Sequence, residues 1–158
     1  MLHVGLWEPE IPPNTGNIAR LCAATGATLH LIGRLGFRLD ERSLRRAGLD
    51  YWPEITLHRH ASLKEFESAM SEGQGGSVSG RGFCFSAHAK LAHTAVTYSP
   101  GDYLLFGGEA HGLPQSVITE YGNRALRIPM PAGKVRSLNL ATAAGIVLYE
   151  ALRQIHGW

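Results

Sequence analysis

Residues 124–158 constrain the fold most. They read RALRIPMPAGKVRSLNLATAAGIVLYEALRQIHGW and change character twice. Residues 124–128 form a short run suited to a buried strand. Pro129, Pro131 and Gly133 then interrupt any regular element, because proline fixes φ and removes a backbone donor. Lys134 and Arg136 place two positive charges in the break. Ser137 or Asn139 can cap a helix by accepting a hydrogen bond from its free N–H groups. Leu140, Ala144, Val147, Leu148, Ala151 and Ile155 follow three- and four-residue spacing and so share one helical face. Ala141, Ala143 and Gly145 are small enough for another backbone to approach closely. Two readings stay open for this stretch. It is a plain strand, loop and packing helix, or it is a cofactor loop ahead of a helix amino end, where unpaired N–H groups gather.

The preceding chain alternates strands and helices. Residues 2–7 read as a strand, followed by a stiff proline loop, EPEIPP. Asn14 or Thr15 is expected to cap a helix running to about Thr25, with Ile18, Leu21, Cys22 and Thr25 on its apolar face. Gly26 stops it, and residues 28–32 form the next strand. Strand, helix, strand with short connections implies a βαβ unit and a parallel sheet. Residues 33–52 carry Arg34, Arg38, Arg42, Arg45 and Arg46 beside Phe37, Tyr51 and Trp52. Arginines interleaved with aromatics suit phosphate contacts and base stacking, although a solvated charge run beside core aromatics has the same composition. Asp40 can cap a short helix there. Residues 55–58 read as a strand, with His58 and His60 as surface histidines. Ser62 and Glu65 form a capping box for a helix to Met70. Residues 71–82 are a polar, glycine-rich loop without the lysine and serine or threonine of a phosphate-binding P-loop. Residues 83–86 and 103–106 read as strands, while 87–98 fit no single element. Gly107 and Gly108 close the second of these strands, and glycine there lets a ligand or backbone come close. Pro114 is expected at the first position of a helix that ends near Gly122.

Composition narrows the class. The chain of 158 residues is long enough for one domain, 1–158, with its own core. Only 18% of residues are charged, which leaves apolar surface for a subunit interface. A net charge of +2 does not by itself announce nucleic acid. Cys22 and Cys84 make no disulfide scaffold and no zinc cluster, so no metal is expected and a cytoplasmic location fits. No apolar run reaches membrane length.

Three loops remain: 14–20, 107–114 and 129–139. Each follows an apolar strand or opens a helix, and in an open α/β sheet ligands sit beyond the carboxyl ends of the strands. None matches GxGxxG, so an ordinary dinucleotide-binding oxidoreductase is a poor fit. The segments PPNTGNIARLCAATG, LLFGGEAHGLP and RIPMPAGKVRSLNLATAAGIVLYEALRQ resemble the three motifs of the SPOUT methyltransferases. The resemblance is strongest to the wobble-position tRNA 2'-O-methyltransferases, the TrmL family. It extends to SLRRAGLDYW and AHTAV and spans nearly the whole chain in order. Gly108 stands where many relatives carry proline.

This resemblance implies a parallel-sheet α/β SPOUT fold with a deep trefoil knot near the C-terminus. It implies a homodimer with the active site at the interface, S-adenosylmethionine as cofactor, and the anticodon stem-loop of tRNA as partner. The implied reaction is methylation of the ribose 2'-hydroxyl of nucleotide 34, a cytidine or modified uridine, in leucine tRNAs. Carried onto this sequence, Phe85, Gly107, Ile128 and Ser137 would contact the cofactor, largely through backbone. Arg20, Asn17, Glu109, Ser137 and Asn139 are the catalytic candidates. Asn14, Arg42, Arg45, Arg46 and Arg136 are the RNA-contact candidates. An arginine titrates too high to be an easy base, so Arg20 is read as holding phosphate and stabilising charge on the 2'-oxygen. Glu109 is read as orienting an arginine or the substrate, or as a salt-bridge residue. Two rivals follow from the same residues: a SPOUT enzyme acting on another tRNA or rRNA site, and a non-catalytic RNA-binding protein.

Overall fold

A computed structural model of the chain describes residues 1–40, 42, 52–72 and 81–158. Arg45, Arg46, Tyr51 and most of the glycine-rich stretch 71–82 lie outside the described residues.

The strands are β1 (His3–Trp7), β2 (Thr28–Ile32), β3 (Leu57–His60), β4 (Gly82–Phe85), β5 (Leu91–Ala92), β6 (Tyr103–Gly107) and β7 (Ala125–Arg127). The helices are α1 (Pro12–Thr25), α2 (Leu63–Ser71), α3 (Gln115–Tyr121) and α4 (Leu140–His156). Among the described residues the strands form one sheet in the order β3-β2-β1-β6-β4-β7-β5. Every pairing is parallel, for example Val4 opposite both Leu29 and Leu104. A parallel sheet needs cover on both faces, and the strand side chains alternate accordingly. Val4, Leu6, Leu29, Leu31, Phe83, Leu104, Phe106 and Leu126 join a core with Ile18 and Cys22 of α1 and Ala144, Val147, Leu148 and Ala151 of α4. Ile32, Cys84, Tyr103 and Leu105 face the other way, onto Phe66 and Met70 of α2 and Val117 and Ile118 of α3.

Half of the capping box forms: the Ser62 hydroxyl accepts from Glu65 N–H at 3.1 Å, while the Glu65 carboxylate reaches one residue further back and accepts from Ala61 N–H at 3.0 Å. Gly26 ends α1 in the left-handed region at φ 72°. The stripe expected on α4 is buried, and Ile155 packs at its edge.

Several expectations need correction. Asn14 and Thr15 do not cap α1. The helix starts at least three residues earlier, with Ile11 at the N-cap and Pro12 and Pro13 as its first residues. Proline suits these positions because they have no helical acceptor for an N–H. Pro114 is the N-cap of α3 rather than its first residue. The strand expected at 55–58 runs at Leu57–His60, since it takes its register from β2, with His30 opposite His58. That shift buries His60, which is not a surface histidine. His30 is hydrogen-bonded to both His3, Nε2 to Nδ1 at 3.0 Å, and His60, Nδ1 to Nε2 at 2.9 Å. His58 stacks on His30. Burial lowers the titration of His3, His30 and His60, and that of His30 falls to about 3. Both cysteines are free and buried, and burial pushes their thiols up to about 12. Among the described residues no helix is long and apolar enough to cross a membrane.

Candidate active site

The three loops singled out above meet at one cavity of about 490 Å³. That is the size range of small-molecule and cofactor sites. It opens at the carboxyl ends of β4, β6 and β7, as expected for an open parallel sheet, and the amino ends of α1 and α4 close it.

The floor is made where β6 ends. At Gly107 a Cβ would collide with the backbone of Gly112 and Leu113, so only glycine lets the loop fold back on itself here. The return is fixed by Gly112 N–H donating to Gly108 C=O at 2.8 Å. At Gly108 a Cβ would meet the Glu8 carbonyl. Glu8 is the one non-glycine residue at positive φ, 51°, among the described residues.

Phe85, Gly107, Ile128 and Ser137, the expected cofactor contacts, all line the cavity. Phe85 stacks on Phe106 with ring centroids 4.9 Å apart, giving a rigid apolar wall. Asn14, Glu109, Arg136 and Asn139 line it too. Asn139 caps α4, its side-chain oxygen accepting from Ala141 N–H at 2.9 Å and Thr142 N–H at 3.2 Å. Glu109 turns to α1 and the loop before it. Its carboxylate accepts from Glu10 N–H at 2.7 Å, Ile11 N–H at 3.1 Å and the Asn14 amide at 3.2 Å. The Asn139 amide in turn donates to the Asn14 side-chain oxygen at 3.0 Å. Asn14 is buried, 7% exposed, with its side chain held by these two partners.

Other candidates are placed elsewhere. Asn17 and Arg20 follow about one and two turns along α1 on its exposed side and do not line the cavity. Arg42 is exposed and also outside it. Two wall residues escaped sequence reasoning, His88 and His111, both exposed at the cavity. His111 lies inside the glycine loop already singled out, so its place in the motif was the available signal; nothing local marked His88. Among the described residues no group of three or more His, Cys, Asp or Glu is placed to hold a metal ion.

The cavity thus offers apolar walls at Phe85 and Ile128, with backbone groups and the Ser137 hydroxyl beside them. That donor set fits a nucleoside cofactor such as S-adenosylmethionine. Comparison with known proteins agrees. The model of the SpoU rRNA Methylase family matches residues 1–149. A tRNA (cytidine(34)-2'-O)-methyltransferase of Photorhabdus asymbiotica is 47% identical over 156 residues, covering 98% of this chain and 94% of that protein. A solved structure described as giving structural insights into the 2-OH methylation of C/U34 on tRNA superposes with a TM-score of 0.89 at 49% identity, covering 100% of this chain and 98% of that one. The SpoU methyltransferase AviRb of Streptomyces viridochromogenes, solved in complex with the cofactor AdoMet, superposes with a TM-score of 0.82 at 28% identity, over 98% of this chain and 60% of that one.

Proposed function

The chain belongs to the SpoU rRNA Methylase family, and we propose from that premise how its own residues serve the family's chemistry. The enzyme transfers a methyl group from S-adenosylmethionine to the ribose 2'-hydroxyl of the wobble nucleotide, 34, of tRNA. The observation that carries the site assignment is the convergence of three motif loops on one cavity at the carboxyl edge of a parallel sheet.

S-adenosylmethionine supplies a methyl group on a sulfonium. Transfer then requires an aligned oxygen nucleophile and a stabilised developing charge, which is mostly a positioning problem. Phe85 and Ile128 form apolar walls, Gly107 and Ser137 offer backbone and hydroxyl contacts, and Asn139 fixes the start of α4 beside them. As the 2'-oxygen bonds to the methyl carbon, the sulfonium–carbon bond would break with its electron pair returning to sulfur, and the hydroxyl proton would pass to solvent. The Arg20 guanidinium holds the neighbouring phosphate and stabilises charge on that oxygen, with Asn17 beside it. Arg42, Arg45, Arg46 and Arg136 contact the anticodon stem-loop. The substrates are leucine tRNAs bearing cytidine or a modified uridine at 34. The reading assigns no metal and a cytoplasmic location.

Arg20 lies outside the cavity of its own chain, and this supports a homodimer. α1 packs against α4, whose outer face carries Ile146 and Tyr149 at 38% and 48% exposure, with Ile11 exposed at the amino end of α1. A second copy on this face would cover the apolar residues and bring Arg20 of one subunit to the site of the other. The whole chain acts as one domain. A C-terminal trefoil knot is the reading carried from the SPOUT resemblance, and the family match over residues 1–149 supports it.

The test is single-turnover methylation of saturating tRNA, with the modified nucleotide mapped. Methylation at the ribose of 34 is expected. Methylation at another site would favour the rival substrate, and none would favour a binding protein. Arg20→Ala should lower turnover about 10²-fold, as for loss of one oxyanion stabiliser, while cofactor affinity holds. Near-normal turnover would remove Arg20 from the mechanism. Sedimentation should give about twice 17.1 kDa.

A further inference from the structure

Three loops distant in sequence are joined by one chain of side-chain hydrogen bonds. It runs from Glu109, after β6, through Asn14 in the first turn of α1, to Asn139 at the cap of α4. Its direction is fixed by chemistry. A carboxylate only accepts, so Asn14 must turn its NH₂ toward Glu109. The Asn14 oxygen then faces Asn139, which must present its NH₂, and the Asn139 oxygen is left to cap α4. Reversing any one amide would set donor against donor or oxygen against oxygen. Because Asn14 is buried, a mismatch at its own amide is poorly relieved by water.

The carboxylate also sits at the amino end of α1. Pro12 and Pro13 have no N–H, and Glu109 takes the donors of Glu10 and Ile11 ahead of them. A negative charge there is favoured by the helix dipole. So one residue of the cavity floor anchors the helix that bears Asn17 and Arg20, and through Asn14 ties it to the helix that closes the cavity.

We propose that Glu109 is a positioning residue for methyl transfer: its carboxylate sets the polarity of the Glu109–Asn14–Asn139 relay and so fixes α1 against the cofactor cavity of its own subunit, the seat from which α1 carries Arg20 to the partner's site. The proposal rests on the methyltransferase reading above. It differs from a role for Glu109 as proton acceptor, because all three bonds to the carboxylate come from the protein itself.

Polarity can be tested by reversing it. Glu109→Gln keeps the shape but offers one acceptor oxygen and an unwanted donor, and should slow single turnover about tenfold. Asn14→Asp sets a second carboxylate against Glu109 and should slow it about 10²-fold. The double variant Asn14→Asp/Glu109→Gln restores a donor facing an acceptor at that joint, and the carboxylate introduced at position 14 still accepts from Asn139. It should turn over at least about tenfold faster than Asn14→Asp alone. Asn14→Asp should also regain rate on acidification, because a shared proton restores a donor between the carboxylates. A double variant no faster than Asn14→Asp overturns the proposal, and so does an Asn14→Asp rate that does not rise with acid. If Asn14→Asp does not fold, the double variant must melt above it, and failure to do so overturns the relay equally. Wild-type protein that binds tRNA without methylating it would instead overturn the activity on which the proposal rests.

Discussion

Acidification should destabilise this fold through one histidine in particular. His30 is 4% exposed in the middle of β2, hydrogen-bonded to His3 and His60, stacked on His58 and edge-on to Phe66. Burial, and then repulsion from His3, His60 and His58, lowers its titration from 6.5 to about 3. The unfolded chain takes up the proton near 6.5, so the folded state lags behind it in proton uptake as pH falls. Stability is therefore retained above 6.5 and lost as pH falls toward 3. Each pH unit in that window costs about 1.4 kcal/mol, which makes about 2 kcal/mol between pH 7 and 5 and about 5 kcal/mol if the window is crossed in full. His3 and His60 shift in the same direction and add to the loss. The assay is urea unfolding at pH 7 and 5 for wild type and His30→Gln, which keeps a donor and an acceptor without titrating in this range. Wild type should lose about 2 kcal/mol more than the variant over that interval, at an unchanged m-value. Equal losses in the two proteins would refute the reasoning.

Two further outcomes follow from packing. Gly107→Ala forces a Cβ into the backbone of Gly112 and Leu113, and should cost about 1–3 kcal/mol by urea unfolding; the distorted floor should also weaken S-adenosylmethionine binding at least about tenfold by equilibrium titration. Leu148→Ala removes a fully buried side chain between α4 and the sheet, and should cost about 2–5 kcal/mol by the same unfolding measurement.

The sequence by itself determined what is local. The alternating run of β1, the continuous apolar run of β6, the three- and four-residue stripe of α4, the Ser62 cap, the Gly26 stop and the Asn139 cap are all marked within a few residues of chain. The caps find their partners there, and the strand and helix patterns show in spacing alone. The motif loops could likewise be found as breaks after apolar runs, and with them most of the cavity wall. Tertiary structure decided everything whose partner is far away. Glu109 is bonded to residues 95–99 positions distant, and Asn139 to one 125 positions distant, so neither bond leaves a periodic trace. Asn14 looks like a helix cap in the sequence; it becomes an interior link because two prolines start the helix before it. His60 looks like a surface residue until β3 takes its register from β2. The strand order is of the same kind: a backbone hydrogen bond pairs any strand with any other, and the choice is made by which faces can be buried together, a property of the assembled layers and not of any segment.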